Sequence, residues 1–203
     1  AVTSYTFKSV TANHTIEAVF AKSDTKPTNP FVDVSESAYY YDPVLWAVGN
    51  GITNGVDATH FEPDGTCTRA HAVTFLWRAA GQPEPKTTQM PFKDVKAGSY
   101  YEKAVRWAVE EGITNGTSNT TFSPDADCTR AQIVTFLWRS KGSPEVTGIV
   151  DPFTDVATAY YMDAVFWAVK MGVTNGTSPT TFSPDENCTR GQIVTFLYRA
   201  MHL

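Results

Sequence analysis

Apolar residues recur along this chain at helical spacing in short stretches, separated by polar, turn-rich segments. In SYYEKAVRWAVEEGI, residues 99–113, Tyr101, Val105, Ala108 and Val109 follow that spacing. Gly112 is placed to end the helix in a left-handed conformation. A second helix is predicted to open at Thr129, where TRAQ reads as a capping box: the Thr hydroxyl caps the first turn and Gln132 reaches back. IVTFLWR then gives that helix a broad apolar face. TRGQ at 189–192 keeps the box, whereas TRAH at 68–71 puts His71 in its last place. Between the two helices, ITNGTSNTTFSPD carries Asn115-Gly116 and Pro124 and reads as a loop with at most very short strands.

This helix-loop-helix unit occurs three times. The openings are FVDVSESAYYYDPVLWAVGNGITNG at Phe31, FKDVKAGSYYEKAVRWAVEEGITNG at Phe92 and FTDVATAYYMDAVFWAVKMGVTNG at Phe153, and each unit closes on FxPDxxCTRxxxVTFLxR. Residues 104–139 and 164–199 share 27 of 36 positions, so the repeat is the first fact about the fold. Two helices of about a dozen residues cannot bury so many aromatics alone, and the three units are expected to pack together. Periodicity allows either a closed ring or an open solenoid. The expected units are 31–85, 92–145 and 153–203, after a β-hairpin over residues 1–23, predicted from the alternation ending in TIEAVF, and a polar linker over 24–30.

Composition narrows the class. The 203 residues carry 16 basic and 21 acidic side chains, a formal net charge of -5, which argues against nonspecific binding to nucleic acid or anionic lipid. No apolar run approaches the roughly 18 residues of a membrane span, so membrane insertion is not expected. The chain begins at Ala1 without Met and reads as a piece of a longer protein.

Arg69, Arg130 and Arg190 each stand in the first helical position, where the partial positive charge of the helix end disfavours a cation. Either a carboxylate of the repeat, such as Asp94 or Asp125, answers them, or an anionic ligand does. Trp46, Trp107, Trp167, Trp77 and Trp138 lie on helix faces and read mainly as core. Asn54, Asn115 and Asn175, followed by Gly55, Gly116 and Gly176, supply polar groups to a groove or simply make turns. Cys67, Cys128 and Cys188 recur in register and read as small buried hydrophobes, without a disulfide framework. His14, His60, His71 and His202 do not recur in register, and no metal-ligand spacing, nucleophile motif or phosphate loop is present. No cofactor, metal or catalytic residue is expected.

The co-occurrence of FxDV, WAVxxGITNG, FxPD and TRAQ at fixed offsets over residues 31–201 resembles the S-layer homology domain in three tandem copies. The hairpin resembles the end of a divergent internalin B-repeat of bacterial surface proteins. The resemblance implies a mainly α fold, a pseudo-threefold spindle around a central helical bundle. It implies an extracellular, noncatalytic anchor at the bacterial cell wall surface, monomeric as a fragment, that binds a pyruvylated secondary wall polysaccharide in grooves between repeats. Arg69, Arg130 and Arg190 are then ligand contacts, joined by the Asn-Gly loops at 54–55, 115–116 and 175–176. A ketal carboxylate would meet both the guanidinium and the backbone N–H groups of the helix start. The last motif position departs from the family's usual acid at His71, Gln132 and Gln192, which bears on fine specificity; TRAH and HFEP in the first repeat, and a third repeat one residue shorter between FTDV and its helix, predict unequal grooves. The rival reading is a structural or protein-interaction module whose grooves bind no glycan.

Overall fold

The computed structural model describes residue 11 and residues 28–148, 150–156 and 159–203. The hairpin and most of the linker predicted for residues 1–30 lie outside these described residues. Six helices follow in order: α1 Tyr41–Gly49, α2 Arg69–Ala79, α3 Glu102–Glu110, α4 Arg130–Ser140, α5 Met162–Lys170 and α6 Arg190–Met201. Extended pairing among the described residues is limited to isolated bridges, as the loop reading anticipated. No described helix is long and apolar enough to cross a membrane.

The local signals act as expected from their chemistry. Thr68, Thr129 and Thr189 accept hydrogen bonds from the backbone N–H three residues on, and Gln132 and Gln192 complete the capping box in α4 and α6. In α2 the Thr68 cap remains but the reciprocal half is missing, because His71 replaces the glutamine. The first helix of each unit stops at Gly51, Gly112 or Gly172, with φ of 67°, 68° and 70°.

Helix packing runs between units rather than within them. α3 lies on α2, α5 on α4, and α1 on α6, while α2, α4 and α6 touch one another. Each opening helix therefore packs on the closing helix of the preceding unit, and the last pair brings the final helix back to the first. This closes the ring that periodicity left open. At its centre the three cysteines form a cycle of backbone hydrogen bonds: Cys67 N–H donates to Cys188 O at 3.1 Å, Cys128 N–H to Cys67 O at 2.8 Å and Cys188 N–H to Cys128 O at 2.8 Å. All three thiols are free and fully buried. Burial pushes the thiols of Cys67 and Cys188 up to about 12 and that of Cys128 well above its ordinary value. They are packing groups, and no cluster among the described residues has the geometry to hold a metal ion. Of the tryptophans, Trp77, Trp107 and Trp167 are buried, and Trp46 and Trp138 are half-buried against the core.

The loop of each unit is fixed by its own FxDV segment. Phe31, Phe92 and Phe153 pack at 5.7, 5.9 and 5.7 Å from Phe61, Phe122 and Phe182, which are wholly buried. The aspartate two residues on accepts two consecutive backbone N–H groups: Asp33 from Phe61 and Glu62, Asp94 from Phe122 and Ser123, Asp155 from Phe182 and Ser183. Those bonds hold Glu62, Ser123 and Ser183 at φ near 56°, a left-handed conformation unusual for residues with a side chain.

Gly112→Ala introduces a Cβ into open space, so only its positive φ is penalised, and it is expected to cost about 1 kcal/mol. In Gly116→Ala the Cβ would stand 2.4 Å from the Thr121 carbonyl oxygen and 2.5 Å from the Phe92 ring at φ 79°, and the expected cost is about 3 kcal/mol or more. Urea unfolding of the two variants measures the difference. The thiols ionise near 9 in the unfolded chain, whereas burial raises Cys67 and Cys188 to about 12 and Cys128 well above its ordinary value in the folded protein. The folded state thus binds more protons above pH 9, and stability is expected to fall as pH rises through that window. Native protein is expected to resist thiol alkylation at neutral pH and to react when urea unfolds it. Rapid labelling without unfolding would contradict the buried cycle.

Candidate functional site

The first turns of α2, α4 and α6 are where neighbouring units meet. Arg69 N–H donates to Ala126 O and Ala70 N–H to Pro124 O; Arg130 and Ala131 do the same to Glu186 O and Pro184 O, and Arg190 and Gly191 to Gly65 O and Pro63 O. The N–H of the third helical position goes to the capping threonine. These orphan donors of the helix starts are therefore consumed by the next unit's loop, which corrects the expectation that a ligand carboxylate would use them. An anion must be met by side chains.

The arginines follow the same path into the neighbour. Arg69 Nε donates to Phe122 O, Arg130 Nε to Phe182 O and Arg190 Nε to Phe61 O, each at 2.8 Å. Each guanidinium carbon lies 4.8 Å from the ring of that phenylalanine and 5.5 to 5.7 Å from a second one, Phe136, Phe196 or Phe75. Only 3, 3 and 5% of these residues is exposed, yet the Nη2 of each has no hydrogen-bond partner. No salt bridge to any of them occurs among the described residues. Asp94, one of the acids suggested as a partner for these arginines, instead holds Phe122 and Ser123 in its own loop. Burial lowers the pKa of all three arginines from the ordinary value, which is the signature of a cation short of compensation. Arginine keeps its proton nonetheless. Flanking rings return about 2 kcal/mol through cation–π attraction, and the remaining desolvation favours any anion that reaches the site.

Two grooves open beside these arginines. One, of about 350 Å³, is lined by Arg69 of the first unit, by Asn115, Gly116, Gln132 and Arg139 of the second, and by Tyr160 of the third. Its lining residues include two arginines and no carboxylate. Another, of about 490 Å³, combines Arg190 with Asn54, Gly55, His71 and Arg78 of the first unit and Tyr100 of the second, and here Glu62 adds one acid. Arg139 and Arg78 are tied through Nη1 to the carbonyls of Ile113 and Ile52. Arg130 occupies the corresponding position against the third unit, between Phe182 and Phe196, with Tyr39 close enough to act on its charge.

Among the sequence candidates, Arg69 joins Asn115 and Gly116, and Arg190 joins Asn54 and Gly55, so each groove takes its arginine and its Asn-Gly loop from different units. Gly55, Gly116 and Gly176 are required sterically: a Cβ at any of them would collide with a loop carbonyl and with the FxDV phenylalanine. Asn175 and Gly176 hold the matching positions in the third unit. Sequence reasoning missed Tyr39, Tyr100 and Tyr160. They are more than half exposed, and each stands edge-on to the next tyrosine. Their signal was the first tyrosine of the Tyr-Tyr doublet before each opening helix, which repeats outside the apolar spacing that its partner follows.

The family model of the S-layer homology domain matches residues 30–73, 91–134 and 152–194. The chain is 32% identical over 119 residues to a cell surface protein of Thermoanaerobacter kivui, covering 57% of this chain and 16% of that protein. A surface-layer 125 kDa protein of Lysinibacillus sphaericus is 33% identical over 109 residues, covering 53% of this chain and 9% of that protein. A cellulosome-anchoring protein of Acetivibrio thermocellus is 27% identical over 161 residues, covering 77% of this chain and 34% of that protein. The chain thus matches a minor part of each of these relatives.

Asp94→Ala removes two backbone hydrogen bonds that fix the carbonyl against which Arg69 rests. The expected outcome is a loss of about 2 to 4 kcal/mol in chemical denaturation, with the change in the folded protein centred on the Arg69 groove in amide exchange.

Proposed function

Since the chain belongs to the S-layer homology family, we propose that its inter-repeat grooves bind an anionic, pyruvylated polysaccharide of the bacterial cell wall. The three repeats are a noncatalytic cell-surface anchoring module and act outside the cell. The finer reading, that the ligand carries a carboxylate on a sugar, is supported by one observation above the others. Three arginines, buried to 95% or more, each lie beside two phenylalanine rings with an unpartnered Nη2 and, among the described residues, no salt bridge to a carboxylate.

A pyruvate ketal keeps a free carboxylate, and a guanidinium fork suits that group in charge and geometry. The Asn-Gly loop offers amide and carbonyl groups to hydroxyls of the sugar, and the exposed tyrosine offers a ring face. Arg139 or Arg78 adds a second positive charge at the rim. The purely structural reading accounts for the Nε bond to the neighbouring carbonyl. It does not account for the buried Nη2. With more than one groove engaging the same polymer, effective concentration raises avidity by about 10² or more over a single weak site.

Calorimetry of the folded chain with pyruvylated wall polymer, and with the same polymer after depyruvylation, tests this reading. Removing pyruvate is expected to weaken binding by about tenfold or more, the range for hydrogen bonds to a charged group. Arg69→Lys, Arg130→Lys and Arg190→Lys keep the charge but lose the fork, and are expected to weaken binding at their own grooves while circular dichroism stays native. Equal binding with and without pyruvate, or no binding by folded protein, overturns the carboxylate reading.

A further inference from the structure

We propose that His71 contacts the ligand in the groove closed by Arg190 and makes that groove, unlike its two counterparts, hold an anion more tightly as the pH falls. The inference rests on the carboxylate-binding reading above and assigns a proton to one of its sites.

The argument begins with a substitution inside the repeat. At the third position of α4 and α6 the side chains of Gln132 and Gln192 fold back, their Oε1 atoms accepting from Thr129 N–H at 3.3 Å and Thr189 N–H at 3.1 Å. They carry no charge at any pH. His71 stands at the equivalent position of α2 and does not fold back in this way. Its ring Nδ1 lies 3.1 Å from the Thr68 hydroxyl, and Thr68 also hydrogen-bonds the side chain of Tyr100. The imidazole is near-parallel to Phe75 of its own helix and to Tyr100 of the next repeat, with centroids at 6.4 and 5.8 Å and interplanar angles of 25°. Phe75 is also one of the two rings beside the Arg190 guanidinium. Histidine, both rings and Arg190 thus line the same cavity of about 490 Å³.

Two arginines and two carboxylates surround the imidazole. Arg190 comes from α6 and Arg78 from α2, while Glu62 comes from the loop of the first repeat. Asp125, from the loop of the second repeat, also acts on the ring. In the empty groove, burial and then the Arg190 charge hold the His71 pKa below its ordinary value, and Asp125 opposes them. The ring is therefore neutral at neutral pH. An anion seated against Arg190 offsets that repulsion and gives the imidazolium a partner, so the pKa in the complex lies above that of the empty groove. By linkage, binding takes up a proton, and affinity rises as pH falls through the window between the two values. Each unit of separation corresponds to about a tenfold gain in affinity. The Tyr100 ring, with its centroid at 5.8 Å, favours the same charged form.

The probe is a methyl hexoside carrying a pyruvate ketal, with its pyruvate-free counterpart as control. Calorimetry at about pH 5 and about pH 8 compares the native chain with His71→Gln, which installs the residue that the other two repeats use. The native chain is expected to show a class of sites about tenfold tighter at the lower pH, and the variant to bind with that class removed. NMR titration of the His71 ring is expected to move upward when the probe saturates the protein. Pyruvate-dependent binding with the same pH profile in both proteins, or a His71 titration unmoved by saturating probe, overturns the inference and leaves the anion reading standing. No pyruvate-dependent binding at either pH overturns both.

Discussion

The structure depends on one joint, made three times: the start of a closing helix laid against the loop of the next repeat. Two backbone N–H groups and an arginine Nε from one TRA or TRG segment reach three carbonyls of a single FxPD loop. A helix start leaves its first donors unsatisfied, and a loop held by an aspartate and a positive-φ residue presents carbonyls in fixed directions. Each needs what the other has. Because every repeat carries both halves, the joint propagates, and the bond from Arg190 back to Phe61, 129 residues away, closes the series. The cycle through Cys67, Cys128 and Cys188 satisfies the backbone at the centre of the same joints.

The joint also explains why the arginines are in place without being satisfied. Nε serves the neighbouring carbonyl, which fixes the plane of the guanidinium, and two phenylalanines hold it from their faces. What remains is a positive group of fixed orientation with little else to do, beside a groove lined by polar loop atoms and an exposed tyrosine. Preorganisation of this kind reduces the conformational entropy lost on binding. The same residue thus ties the fold and serves as the candidate ligand contact, so variants that keep its charge are more informative than truncations.

Much of the fold was legible because it is written locally. The capping box of Thr129 and Gln132, the helix stop at Gly112 and the repeat itself depend on residues close in sequence, and each appears where its chemistry requires. Ring closure was not legible, since it depends on which repeat a helix start meets, and the bonds that decide it span 52 to 129 residues. The same blindness affected the site. Arg130 could be read as facing an acid or a ligand, and only the structure shows Asp94 committed to Phe122 and Ser123. Free helix-start N–H groups were a reasonable expectation for an isolated helix and fail because the neighbour occupies them.

Three nearly identical joints do not make three identical grooves. The backbone geometry is imposed by bonds that every repeat must make, so change is tolerated where those bonds are not involved. The last position of the capping box is such a place: α2 keeps its threonine cap with His71 there, losing only the reciprocal bond from the side chain. The freed ring lies between Phe75 and Tyr100 instead. Glu62 stands where the second and third repeats have Ser123 and Ser183, and so brings an acid to the same groove. The first repeat therefore alters the charge of its groove at two positions while the joint beneath it stays the same. A repeat protein built this way can change what one groove binds without disturbing the ring that presents all three.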